Sequence, residues 1–197
     1  MLVKWLVRTL TTLFVLGLVI LGVLLVQQAR LARETASAPP EPATIGKFSP
    51  LDQPRPAPEA SFTTRSGDAV QLKDFGGRLV LINLWATWCA PCVEEMPSLD
   101  RLQAEFGGDL TILAISEDRR GGELVEPFLA KLGLANLAVY LDPKSNVGHA
   151  FAVNGLPTSI LIDGKGRVLG KLEGAAQWDS AAMVKLLKSY LKPVATP

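Results

Sequence analysis

The feature that most constrains the fold is a pair of cysteines between a buried strand and a helix. Residues 79–85, LVLINLW, form a continuous apolar run of strand length, and residues 91–107 follow with apolar side chains at helical spacing. Cys89 and Cys92 are the only cysteines of the chain and lie at this junction. The sequence therefore predicts a Cys-x-x-Cys pair at the first turn of a helix.

That position favours thiol chemistry. The first turn of a helix has free backbone N–H groups and the positive end of the helix dipole. Both stabilise a thiolate, so we expect the pKa of Cys89 to lie below the free value of about 8.5. Pro91 suits this turn, because its missing N–H costs little there. We expect Cys89 to be exposed and to attack a substrate disulfide, and Cys92, shielded by the helix, to resolve the mixed disulfide.

Three other uses of the pair stay open. A structural disulfide would close only a short loop and so would add little stability. A metal site would need two more ligands, and His149 is the one further soft candidate. A peroxidase would carry threonine three positions before its cysteine, where this chain has Ala86, with Thr87 one position away.

The remaining pattern predicts the α/β class, a mixed central sheet with helices on both faces. Residues 110–115 form a second apolar strand after the first helix, which gives a βαβ unit with parallel strands. Residues 163–166, DGKG, predict a hairpin turn. The other predicted elements are a hairpin of strands 61–64 and 69–72, helices 122–132, 145–153 and 179–191, and strands 137–141, 158–162 and 167–173.

The N-terminal region predicts a membrane anchor. Residues 9–26 run for 18 positions without a charge, which nearly crosses a hydrocarbon core of roughly 30 Å as a helix. Lys4 and Arg8 precede the run and favour a cytoplasmic N-terminus. A cleaved signal peptide, with a cleavage site at residues 36–38, is the alternative. Either interpretation sends the body of the protein outside the cytoplasm.

Composition divides the rest of the chain. Residues 34–60 contain seven of the fourteen prolines and predict a semi-rigid spacer. We therefore expect an anchor over residues 1–28, a linker over 29–59 and one folded domain over 60–193. Beyond residue 33 the chain has 16 basic and 19 acidic residues, and this mildly acidic balance argues against nucleic-acid binding.

The motifs resemble those of a known family. The run Asn83-Leu84-Trp85-Ala86-Thr87-Trp88-Cys89-Ala90-Pro91-Cys92, followed by Glu94-Glu95-Met96-Pro97, resembles the TlpA-like branch of the thioredoxin superfamily, which includes TlpA, ResA and CcmG. Residues 155–159, GLPTS, are similar to the loop that carries the cis-proline of that superfamily, and residues 174–178, GAAQW, are similar to TlpA-type sequences. The likeness covers residues 60–192 and includes a central helix–strand insertion over residues 119–152.

The resemblance implies roles for individual residues. Cys89 would be the nucleophile and Cys92 the resolving thiol. Pro157 would be cis and would shape a groove for an extended client strand, to which the backbone of Leu156 offers hydrogen bonds. Glu95 would exchange a proton with Cys92 or tune the thiol pKa values. An exposed helix acid is the alternative for Glu95.

Four further residues complete the predicted site. Trp88 and Pro91 are expected to line the substrate groove together with Leu156 and Pro157. Asn83 stands where cytoplasmic thioredoxins carry a buried acid, and it cannot take the proton of the resolving thiol. Trp85 is expected to pack beneath the site. No metal and no cofactor other than the redox-active disulfide is expected.

The resemblance also implies a function. Such proteins are reductases, fed through the membrane by a donor of the DsbD or CcdA type. Their clients are cysteine pairs of apocytochromes c or of copper-assembly proteins. We expect a single-pass protein of the bacterial inner membrane with its catalytic domain in the periplasm. A copper-binding metallochaperone of the same fold and a disulfide-donating oxidase are the alternatives.

Overall fold

A computed structural model describes residues 17, 20–24, 26–28 and 47–191, and the first three of these groups are helical. The chain divides into two compact units, Met1–Pro42 and Ala43–Pro197. The predicted anchor over residues 9–26 falls largely outside the described residues. Among the residues that are described, no helix has both the length and the apolar character needed to cross a membrane.

The second unit is built on one mixed sheet. Its strands are β1 (Phe48–Pro56), β2 (Ser61–Thr63), β3 (Ala69–Gln71), β4 (Leu79–Trp85), β5 (Leu110–Ser116), β6 (Ala138–Leu141), β7 (Thr158–Ile162) and β8 (Arg167–Glu173). Its helices are α1 (Ala90–Phe106), α2 (Gly122–Leu132), α3 (Asn146–Ala150) and α4 (Ala181–Leu191), with a 3-10 turn at Leu72–Phe75.

The strand order is β1-β8-β7-β4-β5-β6-β2-β3. β4 pairs in parallel with β5 and antiparallel with β7, so it lies in the interior of the sheet. All seven residues of β4 are buried, which explains why all but Asn83 are apolar. The carboxyl end of this central strand delivers the chain to α1.

Successive residues of β4 face opposite sides of the sheet. Leu79 and Leu81 pack into a core with α1 and α4, whereas Val80, Ile82 and Leu84 pack into a second core with α3 and the 3-10 turn. The predicted mixed sheet with helices on both faces is confirmed. Because Asn83 is two residues from Leu81, its side chain lies on the same face as α1.

The predicted linker is too long. The sequence assigned residues 29–59 to a linker, but residues 48–56 form β1, which pairs antiparallel with β8. The prolines at 50, 54 and 56 are tolerated because β1 is an edge strand, where one side of the backbone needs no partner strand. Gly170 of β8 permits the close approach, since a Cβ there would lie 2.8 Å from the carbonyl oxygen of Ser49.

The other element boundaries agree closely with the sequence. β4, β7, β8 and α2 span the predicted residues, and the β2–β3 hairpin is present. α3 covers only Asn146–Ala150 of the predicted 145–153, because the chain turns at Ala152, whose φ is +50°. The final helix begins two residues later than predicted, at Ala181.

Candidate active site

The two cysteines lie where β4 passes to α1. Cys89 is the N-cap of α1 and Pro91 follows in the first turn. Cys89 and Cys92 form a disulfide, with their Cα atoms 5.3 Å apart. The sequence predicts an exposed Cys89, but only 5% of the residue is accessible in this oxidised state, and Cys92 is completely buried.

A buried aspartate holds the turn that precedes the cysteines. The Oδ2 atom of Asp118 accepts a hydrogen bond from the backbone N–H of Thr87 over 2.8 Å, and its Oδ1 atom accepts one from the Thr87 hydroxyl over 2.7 Å. The Ser116 hydroxyl donates a third, over 2.8 Å. Asp118 follows β5, which is parallel to β4, so both strand ends meet at the same edge of the sheet. The pairing of β4 with β5 therefore brings Asp118 to the turn that carries Trp88 and Cys89.

Glu95 lies one helical turn after Cys92 and points into the protein. Only 3% of the residue is accessible. Asn83 Nδ2 donates to its Oε1 atom over 2.7 Å. Its Oε2 atom accepts two hydrogen bonds of 2.9 Å, from the backbone N–H of Ala176 and from the indole Nε1–H of Trp178. The structure therefore places Glu95 in a buried polar site, and not on the solvent side of the helix.

Burial and these hydrogen-bond donors shift the pKa of Glu95 in opposite directions. Burial raises the pKa of Glu95 from 4.5 to about 7, because the charged form loses its hydration, and the hydrogen bonds from Ala176, Asn83 and Trp178 offset part of that rise. A carboxyl group with a pKa near neutrality can both accept and release a proton under physiological conditions. Since Cys92 and Glu95 are three residues apart on α1, they face the same side of the helix.

Asn83 connects Glu95 to the sheet. Besides its bond to Glu95, its Nδ2 atom donates to the Ser159 hydroxyl over 3.0 Å, across the β4–β7 pair. Its Oδ1 atom is buried and accepts no hydrogen bond from the described residues. Rotation of this amide would offer Oδ1 as an acceptor to a protonated Glu95. Asn83 can therefore match either protonation state of the carboxyl group, as an aspartate at the same place could not.

The predicted groove residues lie on two neighbouring loops. The Leu156–Pro157 peptide bond is cis, as the resemblance implies. Leu156 packs against the cluster that contains both cysteines. Trp88 is 71% exposed, and it lines, together with Leu156, a groove of about 650 Å³. The same groove is bounded by Glu117 and His149.

The other predicted residues occupy different surroundings. Pro91 is exposed on the first turn of α1 and does not line this groove, whereas Pro157 is buried and accepts a hydrogen bond from the Gly174 N–H over 2.9 Å. Trp85 is completely buried, with its ring centroid 5.8 Å from that of Phe128. It packs beneath the cysteines, in the position expected for it.

Sequence reasoning missed four residues of the site: Asp118, Ser159, Ala176 and Trp178. Each reaches the site from a distant part of the chain, and Trp178 is 83 residues from Glu95. Three of them lie in segments that resemble the family, Ser159 in residues 155–159 and the last two in residues 174–178, but the resemblance assigns them no role. A tryptophan whose N–H is buried needs an acceptor, and this requirement links the segment to a buried carboxylate.

The structure bears on two of the alternative uses of the cysteine pair, the peroxidase and the metal site. Ala86 and Thr87 offer no free hydroxyl to Cys89 as a peroxidase threonine would, because the Thr87 hydroxyl donates to Asp118. His149 is exposed on α3. Within the part of the chain that the structure describes, no three side chains of the metal-binding types are grouped to hold an ion.

Comparisons with known proteins agree with this geometry. A model of the AhpC/TSA family matches residues 54–170. A thiol-disulfide oxidoreductase ResA of Bacillus thuringiensis subsp. konkukian is 32% identical over 139 residues, which cover 70% of this chain and 76% of the relative. The thioredoxin-like protein YneN of Bacillus subtilis is 32% identical over 118 residues, 59% of this chain and 68% of that protein.

Solved structures support the same fold. A DsbE-type thiol:disulfide interchange protein from Chlorobium tepidum aligns with a TM-score of 0.65 at 31% identity, covering 72% of this chain and 99% of the other. A second thioredoxin-family interchange protein from Chlorobium tepidum aligns with a TM-score of 0.59 at 26% identity, covering 72% and 99%. These matches confirm the predicted thioredoxin fold of the second unit.

Proposed function

The chain belongs to the AhpC/TSA family and, within it, to the TlpA/ResA/CcmG branch of thiol-disulfide oxidoreductases, and from this premise we propose that it is a membrane-anchored reductase of specific client disulfides outside the cytoplasm. The observation that carries the proposal is the pairing of a helix-capping Cys89–Cys92 disulfide with a buried carboxyl group, Glu95, one turn further along α1.

The cycle begins with the dithiol form. The thiolate of Cys89, stabilised by the N-terminus of α1, attacks one sulfur of a client disulfide and forms a mixed disulfide, while the other client sulfur leaves as a thiolate. Cys92 then loses its proton and attacks the Cys89 sulfur. The client departs as a dithiol after taking up two protons. Two electrons have then passed from the cysteine pair to the client, and the pair is left as the Cys89–Cys92 disulfide.

Glu95 supplies the proton step in this cycle. Cys92 is completely buried in the oxidised protein, so a group inside the protein is the expected acceptor of its proton. Glu95 is the titratable group on the same face of α1, and its pKa of about 7 suits exchange with a thiol. Asn83 and the hydrogen bonds of the segment after β8 hold the carboxyl group in place.

Client recognition belongs to the groove between Trp88 and Leu156. An exposed tryptophan beside a reactive disulfide offers a large apolar contact surface. Leu156 precedes the cis-proline, and its backbone offers hydrogen bonds to an extended client strand. A client whose cysteine pair lies in an accessible, extended segment would fit this arrangement.

The cellular setting follows from the sequence. The apolar run over residues 9–26 would anchor the chain in the inner membrane, and the segment before β1 would connect the anchor to the catalytic domain. An oxidising compartment leaves such a pair oxidised unless a dedicated donor reduces it. The donor would be a membrane protein of the DsbD or CcdA type. The clients would be apocytochromes c or assembly proteins of the oxidase copper site.

A trapping experiment tests the proposal. In the full-length chain expressed in bacterial membranes, Cys92→Ser leaves the mixed disulfide on Cys89 unresolved, so its partners can be identified by mass. We expect a small set of cytochrome-assembly proteins in the trapped fraction, and none with the matched variant Cys89→Ser. A broad range of unrelated secreted proteins would overturn the dedicated role. A pair that is oxidised in growing cells would indicate an oxidase.

A further inference from the structure

The segment after β8 contacts the active-site helix through two separate hydrogen-bond links. In the first, the Ala176 N–H and the Trp178 indole both donate to Glu95 Oε2 over 2.9 Å. In the second, the backbone N–H of Trp178 donates to the Ser98 hydroxyl over 3.1 Å, and that hydroxyl donates to the carbonyl oxygen of Glu95 over 2.7 Å. Trp178 itself is 1% exposed.

These links fix the orientation of the carboxyl group as well as its position. Because Oε2 accepts hydrogen bonds from two donors, Oε1 points toward Asn83 and accepts from its Nδ2 atom. Both Oε2 donors stabilise the charged form, because a carboxylate accepts hydrogen bonds more strongly than a neutral carboxyl group does. Removal of either donor therefore raises the proton affinity of Glu95.

Among the residues that the structure describes, no charged side chain adds to or opposes these donors at Glu95. On α1, Glu94 is exposed to solvent, and beyond the segment Asp179 pairs with Arg101 at 2.6 Å. On β4 and β7 the facing groups are the neutral side chains of Asn83 and Ser159. In the reduced protein, Cys92, three residues before Glu95 on α1, adds a titratable thiol. The proton affinity of Glu95 therefore depends on burial and on its hydrogen-bond donors.

We propose that Trp178 is a positioning residue of the exchange reaction: its indole N–H fixes the Glu95 carboxyl group and tunes its proton affinity to the range in which Cys92 must lose a proton. This inference rests on the proposed role of Glu95. It assigns a chemical task to the segment 174–178, which otherwise connects β8 with α4 and contributes Ala176 and Trp178 to the hydrophobic core.

The test is the pH dependence of disulfide reduction by the full-length protein in detergent. Trp178→Phe keeps a buried aromatic ring and removes the N–H donor together with one ring of the indole. We expect the inflection that depends on Glu95 to move upward by about 1 pH unit. In the Glu95→Gln background, the same substitution should move nothing. Glu94→Gln changes an exposed acid next to Glu95 on α1, and it should leave the inflection in place.

A second measurement needs no substitution of Trp178, so it stands even if that variant folds poorly. The indole N–H resonance of Trp178 in the wild-type protein should titrate with one inflection, and this titration should vanish in Glu95→Gln. The outcomes separate the two claims. If Glu95→Gln leaves the pH–rate profile unchanged, the role of Glu95 is overturned. If it alters the profile while the Trp178 resonance does not titrate and Trp178→Phe causes no shift, only the inference on Trp178 is overturned.

Discussion

The indole Nε1–H of Trp178 donates a hydrogen bond of 2.9 Å to Oε2 of Glu95, although 83 residues separate them in the chain. Through this contact the segment between β8 and α4 is hydrogen-bonded to α1, the helix at whose N-terminus the two cysteines lie. The active site is therefore not confined to the Cys-x-x-Cys turn. In the proposed mechanism it includes the buried carboxyl group of Glu95, which accepts hydrogen bonds from Ala176 and Trp178.

Burial of Glu95 makes the stability of the oxidised protein depend on pH. Its pKa is about 7 when folded and near 4.5 when exposed, so the folded state binds more protons between these values. The free energy of unfolding should then fall by about 3 kcal/mol as the pH rises from 4 to 8. Glu95→Gln should lack this fall, which denaturant titrations at several pH values would measure. The exposed Glu94→Gln is the matched control and should follow the wild-type curve.

Asn83→Asp would place a second carboxyl group against Glu95. Two carboxylates at hydrogen-bond distance cannot both ionise readily, so the pKa of one of them should rise further. We expect the variant to lose at least about 3 kcal/mol of unfolding free energy at pH 8. The loss should be much smaller at pH 4, where both groups are protonated. Equal losses at the two pH values would contradict the assigned contact.

Trp88 should matter for clients and not for stability. Because its side chain is largely exposed beside the disulfide, Trp88→Ala should change the free energy of unfolding by less than about 0.5 kcal/mol. We expect kcat/KM for a protein client to fall by about 10- to 30-fold, as for a buried aromatic anchor at an interface. Reduction of a small disulfide reagent should fall less. Trp88→Phe, which retains an apolar ring, should recover most of the client activity.

Asp118 should be the main polar support of the active-site turn. Asp118→Ala leaves the Thr87 N–H and hydroxyl without their acceptors, and we expect a loss of about 2–4 kcal/mol in unfolding free energy. Thr87→Val removes the hydroxyl alone and should cost about 1 kcal/mol. Thermal unfolding of the oxidised protein would compare the two. If both variants unfold at the wild-type temperature, the turn is held by other contacts.

Much of the fold could be predicted from the sequence because its strongest signals are local. The six apolar residues of β4 and the helical spacing after Cys92 marked the strand–helix junction to within a residue. Residues 163–166 marked the β7–β8 hairpin for the same reason. β1 was missed because its prolines are typical of a linker, and only pairing with β8 makes that stretch a strand.

Less of the site than of the fold could be predicted from the sequence. Cysteine spacing indicated the redox pair, and resemblance indicated Glu95 and Pro157. Nothing local marks Asp118 as part of the site, and the resemblance of residues 174–178 gives Trp178 no role, because the partners of both residues come from elements that meet only in the folded domain. The degree of burial of Cys89 was also misjudged, since accessibility depends on how the neighbouring loops pack over the turn.

The most direct test of the central claim is the alkylation rate of Cys89 as a function of pH. The full-length Cys92→Ser protein, in detergent and reduced, would be treated with iodoacetamide, and modification at Cys89 would be quantified by mass against a peptide with an unperturbed cysteine. Cys89 should be alkylated faster than the peptide near pH 7, with an inflection below the free-thiol value of about 8.5. A rate and an inflection equal to those of the peptide would contradict the central claim.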